Sequence, residues 1–97
     1  MLDKFKQLME VKRQAERIKR ELDSSTIEIN EVRGIKIIVN GAQRFQAIEI
    51  DNEFLGPESK KRLETELLRG INLAVSKSQA LAAQKMKDIT GLNIPGL

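Results

Sequence analysis

Two helix-patterned segments, one about 23 residues long and the other about 33, bracket three strand-patterned segments of about six residues each. At ~1.5 Å per residue the helices span roughly 35 and 50 Å, whereas a six-residue strand spans roughly 20 Å. Neither helix can lie wholly on such a sheet. Any apolar stripe that runs past the sheet must meet another helix, another chain or water. This mismatch of lengths constrains the fold more than any other property of the chain.

The first helix is expected over about residues 2–24. Leu8, Val11, Ala15, Ile18 and Leu22 recur at alternating steps of three and four, and the interior holds neither Gly nor Pro. Strands are expected over about 26–31, 35–40 and 45–50. The first and last alternate polar with apolar residues, the middle one is β-branched, and Asn40-Gly41 marks a hairpin. The second helix is expected over about 57–90, with Pro57 in its first turn and Thr90-Gly91 as its stop. Gly70 inside it is either a point of close approach or a tolerated small residue. Residues 91–97 form a short apolar tail that orders only by docking. The reading is a single α+β domain over 1–97: an α-β-β-β-α subunit whose three-stranded antiparallel meander is flanked by two long helices.

Composition removes most chemistry. The 97 residues include no His and no Cys, so the common zinc and iron–sulfur ligand sets, cysteine nucleophiles and histidine bases are excluded. The glycines Gly34, Gly41 and Gly56 are isolated and form no phosphate-binding loop. The carboxylates Glu28, Glu31, Glu49 and Asp51 read as solvent-facing strand residues. No enzymatic activity, cofactor or metal is expected. The longest apolar run, Ile37-Ile38-Val39, is far short of the roughly 20 residues that span a bilayer. The expectation is a cytoplasmic protein without a membrane partner.

The second helix points to self-association. From Gly70 to Gln84 its only charge is Lys77. With Ile71 at the centre of a core-facing stripe, Leu73 and Ala80 fall on the far side of the helix. A helix that is apolar on more than one side is usually buried on more than one side. A second copy supplies that burial, so a homodimer, intertwined or joined through the sheets, is expected to use Ile71, Leu73, Ala74, Val75 and Ala80.

Charge is segregated along the chain. Residues 1–22 carry a net +3, residues 23–56 a net −3 and residues 57–97 a net +3. On the first helix Lys6, Arg13, Arg17 and Arg20 gather opposite the apolar stripe. On the second, Lys60-Lys61-Arg62 sit at a helix N-terminus, where the dipole disfavours cations, so the run does not serve its own helix. With no Trp or Tyr, a base-stacking surface for single strands is not expected. The pattern suits contact with duplex phosphates, with little sequence preference and steep salt dependence.

Three stretches carry a resemblance. Met1-Leu2-Asp3-Lys4-Phe5-Lys6-Gln7-Leu8-Met9, then Ile38-Val39-Asn40-Gly41 with Ala47-Ile48-Glu49-Ile50-Asp51, then Met86 through Leu97 lie in the order and spacing of the YbaB/EbfC family of bacterial nucleoid-associated proteins, which this chain resembles. The resemblance implies a homodimer with projecting, tweezer-like helices. It also implies double-stranded DNA as partner, a place in the nucleoid and a part in chromosome organisation. Its basic helical segments correspond here to Arg13, Arg17 and Arg20 and to Lys60, Lys61 and Arg62. The alternative is a dimeric protein–protein adaptor without direct DNA binding, for which the basic faces are only solvated.

Overall fold

A computed structural model of the chain describes residues 2–91; Met1 and residues 92–97, which hold nearly all of the expected tail, lie outside the described residues. Helix α1 (Leu2–Ser24) leads into strands β1 (Thr26–Ile29), β2 (Ile35–Asn40) and β3 (Phe45–Ile50). Two short 3-10 turns, Asn52–Phe54 and Pro57–Ser59, precede helix α2 (Lys60–Thr90). The sheet is antiparallel in the order β1-β2-β3, as the meander reading expects.

One face of the sheet carries the core. Ile29, Ile35, Ile37 and Val39 point toward α2 and are buried with Val32, Phe54 and Ala74. α2 approaches closely because Gly70, Ala74 and Ser78 present almost no side chain along the contact line, and all three are buried. A Cβ at Gly70 would sit 3.0 Å from Ile37 Cδ1, so close approach is the reason for this glycine. The Ser78 hydroxyl donates to the Asn40 carbonyl at 2.7 Å, which satisfies a buried polar group at the sheet's end.

Two local features depart from the simple pattern. Alternation runs to Glu31, yet β1 stops at Ile29. The chain turns there so that Val32 can enter the core, and Gly34, at φ 81°, carries it back into β2. A Cβ on Gly34 would meet Phe54 Cε2 at 2.5 Å, so only glycine fits. At the β2–β3 turn, the Gln43 N–H donates to the Asn40 carbonyl at 3.1 Å, and Gln43 itself takes the left-handed conformation, φ 62°. Gly41 is required for contact instead. Its N–H donates to the Leu22 and Ser25 carbonyls at 3.0 Å each, and a Cβ would press on the Leu22 backbone at 3.3 Å. The Asn40 side chain completes this joint. Its amide nitrogen donates to the Asp23 carbonyl at 3.3 Å, and its oxygen accepts from the Ala42 and Arg44 N–H groups.

Candidate nucleic-acid interface

α1 leaves the sheet at this joint and runs outward beside the second half of α2, antiparallel to it. Lys85 pairs with Glu21 at 3.5 Å across the two helices. Gln14, Ile18, Glu21 and Leu22 are half-buried along the seam, while every residue from Leu2 to Arg13 is exposed. The apolar stripe of α1 is therefore used only in its second half: Ile18 and Leu22 pack, and Leu8, Val11 and Ala15 do not. The outer half of α1 projects as an arm.

The expected DNA-contacting residues fall into two groups at opposite ends of a molecule 68 Å long. Lys6, Arg13, Arg17 and Arg20 are exposed along one side of α1. Arg13 pairs with Glu10 at 3.0 Å; among the described residues the other three form no ion pair. Lys60, Lys61 and Arg62 are exposed at the start of α2, beyond the other end of the sheet. One subunit does not bring the two groups together.

At the α2 end, Arg62 stacks over the Phe54 ring with its guanidinium carbon 4.8 Å from the ring centre. Arg62 lines an open cavity of about 340 Å³ with Arg33, Arg69, Phe54, Glu31, Glu53 and Glu66. Two of these carboxylates are committed. Glu66 pairs with Arg69 at 3.3 Å, and Glu31 with Lys77 at 2.7 Å. The hydrogen bond from Lys77 holds the Glu31 carboxyl below the ordinary carboxylate range. Arg33 is the cavity residue that sequence reasoning missed. It stands 29 positions before Arg62, and no spacing links them until the β1–β2 loop folds under α2.

The outer face of the sheet is crossed by a charge ladder. Lys36 on β2 reaches Glu28 on β1 at 2.6 Å and Glu49 on β3 at 3.5 Å. The hydrogen bond and charge of Lys36 lower the Glu28 pKa, and Glu28 in turn raises that of Lys36.

The expected dimer residues are dispersed. Ala74 is 0 % exposed within one subunit and belongs to its own core. Leu73, expected on the far side of α2, is half-buried against that core instead, because Ala74 and not Ile71 stands at the centre of the contact line. Ala80 is exposed on the same flank as Leu73. Ile71 and Val75 lie on the opposite flank, with Leu68, which is 63 % exposed. Lys77, bound to Glu31 after β1, shows that the Leu73 flank faces β1, so the Ile71 flank faces β3.

That flank borders an uncovered strip of sheet. Phe45, Ile48 and Ile50 are in register with Val39, Ile37 and Ile35, and so point to the core face. α2 lies over β1 and β2, however, and all three β3 side chains are exposed. The result is an apolar trough with Phe45, Ile48 and Ile50 as its floor and Leu68, Ile71 and Val75 as one wall.

Among the described residues no group of three or more His, Cys, Asp or Glu is placed to hold a metal ion, and no helix is long and apolar enough to cross a membrane. The sequence profile of the YbaB/EbfC DNA-binding family matches residues 1–93. The chain belongs to this family. Its YbaB/EbfC relatives include a nucleoid-associated protein of Pelotomaculum thermopropionicum, 35 % identical over 95 residues, covering 96 % of this chain and 90 % of the relative. Another, from Syntrophobacter fumaroxidans, is 36 % identical over 83 residues, covering 84 % of this chain and 76 % of the relative. A third, from Moorella thermoacetica, is 32 % identical over 94 residues, covering 95 % and 90 %.

Proposed function

We propose that this YbaB/EbfC chain is a nucleoid-associated protein that binds double-stranded DNA as a homodimer, with little sequence preference. The observation that carries the reading is the arm. Lys6, Arg13, Arg17 and Arg20 line the solvent-facing side of α1, whose outer half stands clear of the described body, so they reach a phosphate backbone at the cost of no more than the exposed Arg13–Glu10 pair. Membership in a DNA-binding family and the nucleoid-associated relatives support the same partner. Lys60, Lys61 and Arg62 form a second phosphate contact, at a site the duplex reaches only from the other end of the subunit. Binding neutralises phosphate charge and bends or bridges the duplex; it involves no catalysis.

The dimer is proposed to close the trough between β3 and α2. A second copy related by a twofold axis offers the same trough, so each covers the other's Phe45, Ile48 and Ile50. Ile71 and Val75 contribute to this contact, and Leu73 and Ala74 do not. Sedimentation of Val75→Glu and Ile48→Glu tests it: both should become monomeric at concentrations where the parent chain is a dimer, and a dimeric double variant refutes the trough.

Gel-shift titration of unrelated duplexes across a salt series tests DNA binding. Similar affinities that fall steeply with salt are expected. No shift at about 50 mM salt would favour a protein–protein adaptor instead.

A further inference from the structure

The cavity at the start of α2 is lined by two arginines that have no acidic partner. Among the described residues, Arg33 and Arg62 form no ion pair. Most other charges of the cavity are committed: Glu66 pairs with Arg69 at 3.3 Å, and Lys77 holds Glu31 at 2.7 Å. Glu53 is the one lining carboxylate without a cation among the described residues. Two exposed guanidinium groups therefore border one cleft against a single unpaired carboxylate. A guanidinium is a planar, weakly hydrated fork of donors, and the oxygens of a phosphate match it.

The fold sets both arginines on rigid supports. Phe54 is 4 % exposed, so its ring is fixed in the core, and the guanidinium carbon of Arg62 lies 4.8 Å from the ring centre. Contact with a ring face restrains the guanidinium and leaves its outer N–H groups free for an anion. Gly34, at φ 81°, lays its bare Cα against the same ring. A Cβ there would meet Phe54 Cε2 at 2.5 Å and Glu53 Oε1 at 2.7 Å. This contact sets the adjoining Arg33 beside the ring that carries Arg62. Donors held in place before binding lose less freedom when the ligand arrives. The cavity, about 340 Å³, is open, so an anion that is part of a long polymer can enter it. Lys60 and Lys61 are exposed in the same first turn as Arg62 and draw a polyanion to its mouth.

We propose that this cleft seats a backbone phosphate of duplex DNA between Arg33 and Arg62, with Phe54 as the residue that positions the Arg62 guanidinium. The inference rests on the DNA reading above and adds to it a contact from the β1–β2 loop, which belongs to neither helix. Glu53 repels the same phosphate at close range, so the seat carries its own brake, and that brake gives the test a second sign.

The full chain is titrated with unrelated duplexes in gel shifts across a salt series, with unfolding midpoints measured alongside. Arg33→Ala should weaken binding roughly threefold to tenfold on every duplex, and the slope of log affinity against log salt should shrink by about one for each cleft engaged. Its unfolding midpoint should not move, because Arg33 is exposed. Glu53→Gln should tighten binding several-fold. Arg62→Lys leaves the charge and the core intact but loses the planar fork, so affinity should fall several-fold with the slope unchanged. Parent-like affinity and slope in Arg33→Ala would overturn the seat, and parent-like affinity in Glu53→Gln or Arg62→Lys would count against it. Inorganic phosphate, exchanged for chloride at equal ionic strength, should displace the duplex from the parent and from Arg33→Ala alike. Selective displacement from the parent would give the cleft to a free anion and overturn the duplex seat. A parent chain that shifts no duplex at about 50 mM salt overturns the DNA reading and the seat together. A parent that binds while Arg33→Ala binds equally well overturns the seat alone.

Discussion

α1 and α2 are built from similar residues and both carry an apolar stripe, yet the fold treats them in opposite ways. α2 has three buried positions along a line against the sheet, and its first turns pack on the Phe54 segment. α1 has none. Only its second half touches α2, and its connection to the sheet is the small joint around Asn40 and Gly41. The difference is one of side-chain size at the contact. Gly70, Ala74 and Ser78 let α2 sit against strand residues, whereas α1 offers Ile18 and Leu22 to the end of another helix and, among the described residues, has no neighbour under Leu8 and Val11. Amphipathicity alone therefore does not decide which helix enters a core. A line of small residues facing a β-branched strand does.

Substitution can break or sharpen this contrast. The largest effect should come from Ile37→Ala, which opens a cavity under Gly70 and Ala74 and should lower stability by about 2–5 kcal/mol in denaturant unfolding. Leu8→Ala on the arm should stay within about 0.5 kcal/mol; comparable losses would mean that the arm is part of the core. Next comes the combined replacement of Arg13, Arg17 and Arg20 by Ala. Duplex affinity should fall roughly tenfold or more, and the slope of log affinity against log salt should shrink by about three if one arm of the dimer engages the duplex and by about five if both do, with the unfolding midpoint nearly unchanged. An unaltered slope would move the contact to the α2 end. Ser78→Ala removes one of the two donors to the Asn40 carbonyl, leaving the Gln43 N–H, and should lower stability by about 1 kcal/mol. A smaller gain is expected from Gln43→Gly, roughly 0.5–1 kcal/mol, because glycine adopts the positive φ of this turn without strain.

The weakest effect concerns pH. Glu28 and Glu31 have folded pKa values below their unfolded ones. Their contribution is present above the ordinary carboxylate range and is lost as pH falls through the depressed values. Lys36 is shifted upward, so its contribution is present below the ordinary lysine range and is lost as pH rises through the raised value. Because all three side chains are solvated, the acid loss should be slight and should shrink further in high salt. A large acid transition centred on these groups would show that the open face of the sheet is covered by another surface.

Much of the architecture was legible because it is periodic. Steps of three and four marked the helices, alternation marked β1 and β3, and a β-branched run marked β2. What escaped had no period. Val32 is a single apolar residue between Glu31 and Arg33, and only the turn after Ile29 shows that it is core. Arg33 joins Arg62 and Arg69 through that same turn. The dimer residues were harder for a related reason. The sequence shows that α2 is apolar on several sides, but which side the subunit itself consumes depends on where α2 crosses the sheet. That crossing follows from Gly70, whose two readings the sequence could not separate. The basic side of α1 was readable because an unpacked helix keeps its whole circumference, so angular arithmetic holds without a tertiary correction.

The joint at Gly41 also has a mechanical meaning. α1 is a cantilever: its root is the pair of hydrogen bonds from the Gly41 N–H and the amide of Asn40, and its outer half is unsupported by the described body. A sideways load applied at Lys6 or Arg13 acts through most of the helix length and arrives at the root as torque. The root is the tip of the β2–β3 hairpin, and its β3 side borders the trough proposed to join two copies. Force on the arm is thus shared between the second half of α2, through the seam at Ile18, Leu22 and the Glu21–Lys85 pair, and the end of the central strand at Asn40, where Ser78 of α2 is also anchored.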